Sequence, residues 1–505
     1  MQYDHLSTND LMAIPSAFLH SALLGHNYLP AQRRLREELP PIFDSTSLTP
    51  AVAAALLPMK PRARGFDIVE YKATKFNSVS RSYSIPHPIA YAQLAKCIVD
   101  NWNVIEPFQN SHVSMIHPRH HKDGRIIIMD YERFAARASR VRQLAFNKRY
   151  AVRTDITSCF GSIYTHAIPW AAVGVAAAKA STKGGWFNAL DAHTRRCTRD
   201  ETQGIPIGPG TSNIIAEIIL SVVDRKLAPE FKFMRGSATN GMSRFIDDYS
   251  FYCDSFDEAE RFIRRLDEEL GVFKMRLNAR KTSIITPVTP FGDRWASELA
   301  LRLPAGVPLD PYRCTNYLEF ASSLASQFPD GSVLKYAASA LVRSPLTSFA
   351  QVATLDYLLV LSTTNPVLLP LLESLFDNTK FAGGVRFPSR VLDILRDSAA
   401  RHRSDAMAWT LYYAQKYNIA IPDDVADEVV CTNDCIAILC LFLTGQHLPK
   451  VVDWTTTLDK GDAYALDRYW IVLYQLHLSG HIGNDFCSVP QAFTELKASN
   501  VSFVV

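Results

Sequence analysis

The order of patterns along this chain predicts an α+β domain, an antiparallel sheet with helices on one face, followed by an all-α second half. Three observations carry that expectation. A strand pattern over residues 149–155 ends on Asp155. A second strand pair turns at the adjacent Asp247 and Asp248, between Ser243-Arg244-Phe245 and Tyr249-Ser250-Phe251-Tyr252. Beyond about residue 305, apolar helical runs alternate with breaks such as Pro366, Pro388, Asn418, Gly445 and Gly480, and no strand pattern returns. Strand–helix, loop–helix, hairpin and helix–strand in that sequence give a sheet with its helices on one face.

The chain has 505 residues, 48% of them hydrophobic and 20% charged. That suffices for two or three domains and excludes a disordered protein. The net charge of +3 is divided unevenly. Residues 301–505 hold 15 Lys+Arg against 20 Asp+Glu, a balance of −5, which leaves +8 for the first 300. The basic half is the one expected to meet phosphates. Nine cysteines without a C-x-x-C pair read as reduced, buried thiols, Cys431, Cys435 and Cys440 included. No basic-then-apolar leader is visible, and the most apolar window, residues 357–376, is broken by Asn365, Pro366 and Pro370. A cytoplasmic protein with no membrane span is expected.

Taken in order, the first 60 residues look helical and amphipathic, and residues 66–128 mix short strands and loops. His117-Pro118-Arg119-His120-His121 reads as an exposed basic loop, since no acid or cysteine stands at metal-ligand spacing. Residues 130–147 form a helix with an apolar stripe of Phe134, Ala138, Val141 and Ala145. Its Arg133, Arg137 and Arg140 are either a solvated face or a phosphate contact. After Asp155, Phe160 stands five residues on, near any nucleotide sugar. Gln203-Gly204-Ile205-Pro206-Ile207-Gly208-Pro209-Gly210 is a rigid loop, and Thr211 or Ser212 caps the helix it opens. Gly204 allows close backbone approach to a ligand. Ser255-x-x-Glu258 is a capping box, and Lys281 precedes a last strand at 283–285. In the second half, residues 462–479 are apolar on nearly all sides and should be central. Successive short helices there suggest a solenoid of helical hairpins.

The chemistry sits on the hairpin. Two carboxylates at one tight turn repel each other unless a hard divalent cation lies between them and a third acid. Asp155, at a strand end, is the natural third. Such a site performs phosphoryl transfer with two metal ions.

In these motifs the first 290 residues resemble a reverse transcriptase. Asp155 matches the first catalytic motif, residues 203–212 the second, Phe245-Ile246-Asp247-Asp248 the third, and Lys281 the lysine of the fourth. Ile163-Tyr164-Thr165-His166-Ala167-Ile168-Pro169-Trp170-Ala171, and the run from Gly204 to Glu217, look like the abortive-infection (Abi) branch, of the prophage-encoded anti-phage type. The resemblance implies a polymerase right hand of fingers and palm over residues 1–300 and a HEAT-like helical-repeat domain over 301–505. It implies Mg²⁺ or Mn²⁺ on Asp155, Asp247 and the Ile156 carbonyl, with Asp248 in electrostatic support and Lys281 neutralising the leaving pyrophosphate. Phe160, Gln203, Gly204, Arg81 and Arg125 would bind dNTP, with Lys122 a further basic fingers residue. It also implies a homo-oligomer in a bacterial cytoplasm making single-stranded DNA without a template, attached to a protein hydroxyl. Tyr3 and Tyr28 are the priming candidates. Open alternatives are an RNA-templated reverse transcriptase and a non-catalytic nucleotide-sensing palm.

Overall fold

The protein, as a computed structural model, is described over residues 14–33, 38–75, 79–129, 134–233, 241–286, 294–304, 308–329, 331–379 and 387–505. Among the described residues six strands make two sheets. β1 (Val69–Thr74) and β2 (Ser80–Ile85) form a separate antiparallel hairpin. β3 (Tyr150–Asp155), β4 (Gly241–Phe245), β5 (Asp248–Cys253) and β6 (Ser283–Ile285) form an antiparallel sheet in the order β4-β5-β3-β6.

The helix Phe256–Val272 lies across β3, β5 and β6 and packs against the helix Gly210–Phe231. The sheet face and both helices meet in a cluster of rings. Phe251 stacks on Phe262 at 4.2 Å, and Phe231 meets both rings edge-on. Along β5, Phe251 joins this cluster while its neighbour Tyr252, on the other face, is buried with Ala151 of β3 and Ala145 of the helix before it, so the sheet is covered in part on both faces and not on one alone. The Ser255 hydroxyl accepts from the Glu258 amide at 3.2 Å, as the capping box requires. Thr211 and Ser212 do not cap their helix. It begins at Gly210 behind Pro209, and both side chains lie buried within the first turn.

Other parts of the first half differ from the pattern read in the sequence. Residues 88–109 are not strand and loop but two helices, Pro88–Asp100 and Trp102–Gln109. Ile89, Ala90, Tyr91, Ala92, Gln93, Leu94 and Ala95 are buried in succession, so the first two turns are enclosed all round, and a polar pair, Lys96 with Asp100, reaches the surface only in the last turns. Within the first 60 residues, described helix is limited to Ser16–Gly25 and Pro50–Ala53. The segment between them is held by single polar contacts. The Asn27 side chain accepts from the Ile126 amide (2.8 Å), donates to the Ile127 carbonyl (3.0 Å), and its own carbonyl takes the Gly210 amide (2.7 Å). The histidine loop is only partly exposed, because His117 Nδ1 bonds the Gln109 carbonyl at 2.7 Å. The helix before β3 spans Phe134–Ala145, and the side chains of Arg133 and Arg137 lie outside the described residues.

From residue 294 on, the described regular elements are helices, and Cys431 is the one exposed thiol of the nine. No helix among the described residues is long and apolar enough to cross a membrane. The helix Trp470–Leu478 is central, as its sequence implied: residues 470–476 are all buried. It does not serve a separate core. Trp470 packs against Phe503 (5.0 Å) and Tyr28 (6.4 Å), and its indole N–H donates to the Ile85 carbonyl of β2 (3.3 Å). The chain end closes the same seam. Asp44 N donates to Phe503 O at 3.0 Å and Val505 N to Ile42 O at 2.8 Å. Arg62 pairs with the buried Asp467, and one continuous hydrophobic cluster spans both halves. The change in character near residue 300 is therefore a change of secondary structure inside a shared core.

Trp470→Ala should lower stability by about 3–5 kcal/mol, the range for deleting a buried aromatic side chain. Calorimetry of the wild type should show the two halves melting together, and two well-separated transitions would contradict the shared core.

Candidate active site

The register of the sheet brings the acids together. Asp155, last residue of β3, lies opposite Asp248, first residue of β5, which in turn faces Phe245 of β4. That leaves Ile246 and Asp247 as a two-residue turn. Ile246 has φ +58°, a conformation β-branched residues avoid. It stays there because its side chain is buried and its carbonyl accepts from Arg244 Nη1 at 3.1 Å. The Ile156 amide donates to the Asp247 carbonyl at 3.2 Å, fixing the end of β3 against the turn.

Arg244 is the residue that the sequence reading missed. It is fully buried and grips two carboxylates of the long helix, Glu217 (2.7 and 3.0 Å) and Asp224 (2.7 to 3.2 Å). Burial works against its charge, but Asp224 and then Glu217 more than offset that, so its pKa lies well above the ordinary value. Ser111 Oγ adds a bond to Asp224 at 2.7 Å. The backbone of Arg244 also pairs with residues 113–115. The available signal was Glu217 and Asp224 themselves, two acids spaced i,i+7 in the buried part of the helix, which require a buried cation.

The acids are held in unequal states. Asp155 is buried; Oδ2 takes the Lys281 ammonium at 2.5 Å, while Oδ1 is buried with no hydrogen-bond partner. The bond to Asp155 holds the Lys281 pKa above its usual value. Lys281 is aimed by a short backbone ladder. Asn278 N donates to Asp155 O (2.8 Å), Thr157 N to Arg276 O (3.0 Å), and Thr282 and Thr154 share a hydroxyl bond of 2.7 Å. The Asp247 carboxyl is pushed up to about 6, first by burial, then by the charge of Asp248 and by Asp155.

The Gly/Pro loop runs beside the segment after Asp155. Ile205 N donates to Phe160 O (3.0 Å), Gly204 N to Ile163 O (2.8 Å), and Gln203 Nε2 to Gly161 O (3.1 Å). Gly204 has φ +86°, a backbone conformation that glycine adopts without strain, while a Cβ there would make only ordinary contact with the Gly161 carbonyl at 3.4 Å. Phe160, Gln203 and Gly204 are thus adjacent. Arg81 lies close enough to act on Asp247 electrostatically. Lys75, which the sequence reading also passed over, faces the same acids. Its pKa is lowered by burial, then by Arg81 and Lys281, against Asp247 and Asp155.

Two expectations are corrected. Arg125 does not face a nucleotide: its side chain is 1% exposed, and its guanidinium donates to the Ala31 and Arg33 carbonyls at 2.6 Å and to Asp123. Tyr28 is not a mobile nucleophile. It is fully buried, stacked on Tyr91 at 4.1 Å, with its hydroxyl donating to the Pro86 carbonyl at 2.5 Å. Burial raises its pKa well above the ordinary tyrosine value. Tyr3 lies outside the described residues.

Among the described residues no three acidic, histidine or cysteine side chains converge tightly enough to form a ready metal cage. The donor chemistry nevertheless fits a hard divalent cation. One carboxylate oxygen is orphaned in the interior, and a neighbouring carboxyl is destabilised by like charge, both of which a cation relieves.

Residues 81–318 match the family described as reverse transcriptase (RNA-dependent DNA polymerase), and the chain carries a domain of that kind. No curated protein matches the sequence. Among solved structures, a C-terminally truncated apo telomerase from Candida tropicalis is 15% identical at TM-score 0.31, covering 46% of this chain and 52% of that one. The chain therefore spans about half the length of that structure. The apo telomerase of the same yeast is 12% identical at TM-score 0.33, covering 79% and 70%. A Candida albicans telomerase in complex with a fragment of telomeric RNA is 12% identical at TM-score 0.30, covering 79% and 67%.

Arg244→Met should cost about 3–5 kcal/mol, because it leaves two carboxylates buried without their partner. Arg244→Lys should recover only part of that, since one ammonium cannot fork to both acids. Denaturant unfolding of the two variants checks this, and near-wild-type stability of Arg244→Met would show the cluster to be dispensable.

Proposed function

We propose that this protein is a metal-dependent nucleotidyltransferase of the Abi branch of reverse transcriptases, building DNA from dNTPs in defence against phage. The observation that supports it best is the register that sets Asp155 opposite Asp248 beside the strained turn bearing Asp247, inside the matched family region. Asp155, Asp247 and the Ile156 carbonyl would hold Mg²⁺ or Mn²⁺. When bound, the metal supplies Lewis-acid stabilisation of the attacking and leaving oxygens. Asp248, exposed at the start of β5, adds negative charge beside them. Lys281, kept as an ammonium by Asp155, is placed to neutralise the departing pyrophosphate. Lys75 and Arg81 meet the polyphosphate from the β1–β2 hairpin. Phe160 packs where a ribose 2′-hydroxyl would go and so favours deoxynucleotides, while Gln203 and Gly204 line the pocket beside it.

Incorporation of labelled dNTP should fall by several orders of magnitude in Asp247→Ala, as expected for a lost metal ligand. Near-wild-type incorporation by that variant would defeat the nucleotidyl-transfer reading. In Phe160→Ala the ratio of ATP to dATP incorporation should rise, and an unchanged ratio would reduce Phe160 to core packing.

The finer parts of the proposal are template independence, priming from a protein hydroxyl and self-association. With Tyr28 enclosed, Tyr3 is the retained priming candidate. Leu301, Tyr312 and Phe349 are strongly exposed and are the side chains that self-association would cover; a monomer of 56.5 kDa in light scattering would contradict it. A second reading is RNA-templated synthesis, which draws its support from the description of the matched family. A denaturing gel after incubation with dNTPs and Mg²⁺ separates the two. Self-priming predicts a protein band shifted upward and restored by nuclease, whereas free DNA dependent on added RNA supports the second reading.

A further inference from the structure

The hairpin that carries Lys75 and Arg81 is not part of the sheet that carries the acids. Among the described residues, β1 and β2 pair only with each other. A two-stranded hairpin is marginal by itself, so its position beside Asp155 and Asp247 depends on the elements around it. Lys75 N donates to Val79 O at 2.7 Å and closes the hairpin. Successive amides of a strand point to opposite sides. The Thr74 amide therefore points away from β2, along an edge that no described strand covers. Thr74 is the residue before Lys75, and its register partner Ser80 is the residue before Arg81. Whatever holds Thr74 sets where both cationic side chains begin.

The helical half holds it. Asp405, in the first turn of the helix Ser404–Lys416, accepts from the Thr74 amide at 2.6 Å and from the Thr74 hydroxyl at 3.0 Å. The oxygen that takes the hydroxyl also takes the Ala406 amide at 2.9 Å, which fixes the carboxylate on its own helix. Asp405 is buried, and burial pushes its carboxyl up while the bonds to Thr74 and Ala406 work the other way. Its mount is stiff. Residues 404–414 are all buried, and the Tyr413 hydroxyl donates to the Leu369 carbonyl at 2.5 Å. Trp409, one turn on from Asp405, lines with it a cavity of about 650 Å³ whose other walls include Lys75, Arg81 and Lys281. The bond from Asp405 thus enters at the hairpin end that faces the acids. Lys75 and Arg81 are exposed side chains on that end, so their placement depends on the backbone that Asp405 holds.

We propose that Asp405 is a positioning residue for nucleotidyl transfer: by holding Thr74, it sets Lys75 and Arg81 at the polyphosphate of the incoming nucleotide. The inference rests on the nucleotidyl-transfer reading above. It adds a residue that lies in the helical half, outside the matched region of residues 81–318.

The test uses the full chain carrying Asp405→Ala, Asp405→Asn or Thr74→Val, each first compared with wild type by thermal melting. Incorporation is then measured against dTTP concentration, with inorganic tripolyphosphate as a competitive inhibitor. In Asp405→Ala the KM for dTTP should rise about tenfold, the factor for one weakened charge-assisted contact, with kcat within about twofold of wild type. The inhibition constant of tripolyphosphate, which has neither base nor sugar, should rise by the same factor. Asp405→Asn keeps one acceptor for the Thr74 amide and should restore the KM in part. In a chain already carrying Lys75→Ala and Arg81→Ala, Asp405→Ala should add nothing, because the groups it places are gone. Wild-type KM and wild-type tripolyphosphate inhibition in a folded Asp405→Ala protein would overturn the proposal. So would an undiminished effect in the chain lacking Lys75 and Arg81, or a fall in kcat alone, either of which would leave Asp405 a structural residue only. Should Asp405→Ala not fold, the same readouts in Asp405→Asn and Thr74→Val decide. Wild-type incorporation that is lost in Asp247→Ala upholds the earlier reading by itself, so unchanged kinetics in Asp405→Ala then defeat this inference alone. An inert wild type defeats both.

Discussion

The buried guanidinium of Arg244 is the interaction on which the arrangement of Asp155, Asp247 and Asp248 depends. One side chain joins the long helix, through Glu217 and Asp224, to the turn, through the Ile246 carbonyl. Without it the helix would bury two repelling acids and the turn would lose the bond that holds Ile246 at positive φ. An isolated buried ion pair is weak evidence of stability, because desolvation offsets most of the attraction. Here the arrangement serves position: it ties the turn bearing Asp247 to a helix that the rest of the palm packs against. The strain at Ile246 and the raised carboxyl of Asp247 are then two costs of one arrangement, sustained by a rigid surround.

The second constraint is the seam between the halves. Trp470, Phe503 and Tyr28 form one aromatic group from three distant parts of the chain. The C-terminal residues pair with 42–44, and Asp405 reaches across to β1. As a result the helical half forms one wall of a cavity whose opposite wall carries Lys281. Secondary structure divides this protein near residue 300, but the site draws on both sides of that division.

Much of the site was legible because its signals are local. A strand pattern ending in Asp155, and two short strands turning at Asp247-Asp248, imply the adjoining strand ends that the structure shows, and Lys281 follows at a readable distance. What was not legible depends on which side chains become enclosed. Arg125 and Tyr28 looked like surface residues on basic or loop-like segments, yet each is held by carbonyls from elsewhere in the chain. The helix Pro88–Asp100 was hidden because burial on all sides erases the 3.6-residue periodicity that marks a helix. Arg244 was hidden differently, since its partners lie 20 and 27 residues upstream on a helix whose apolar stripe dominates its pattern. The cavity between the halves leaves no sequence pattern at all.

The central claim is that the Asp155–Asp247–Asp248 edge is built for a divalent cation, and calorimetric titration of the purified chain with Mn²⁺ tests it most directly. The account predicts saturable binding to the wild type that weakens at least about tenfold in both Asp155→Asn and Asp247→Asn, as loss of a charged ligand requires. It also predicts that binding survives in Lys281→Ala, where the competing ammonium is gone. Equal Mn²⁺ affinity in the wild type and the two asparagine variants would contradict it.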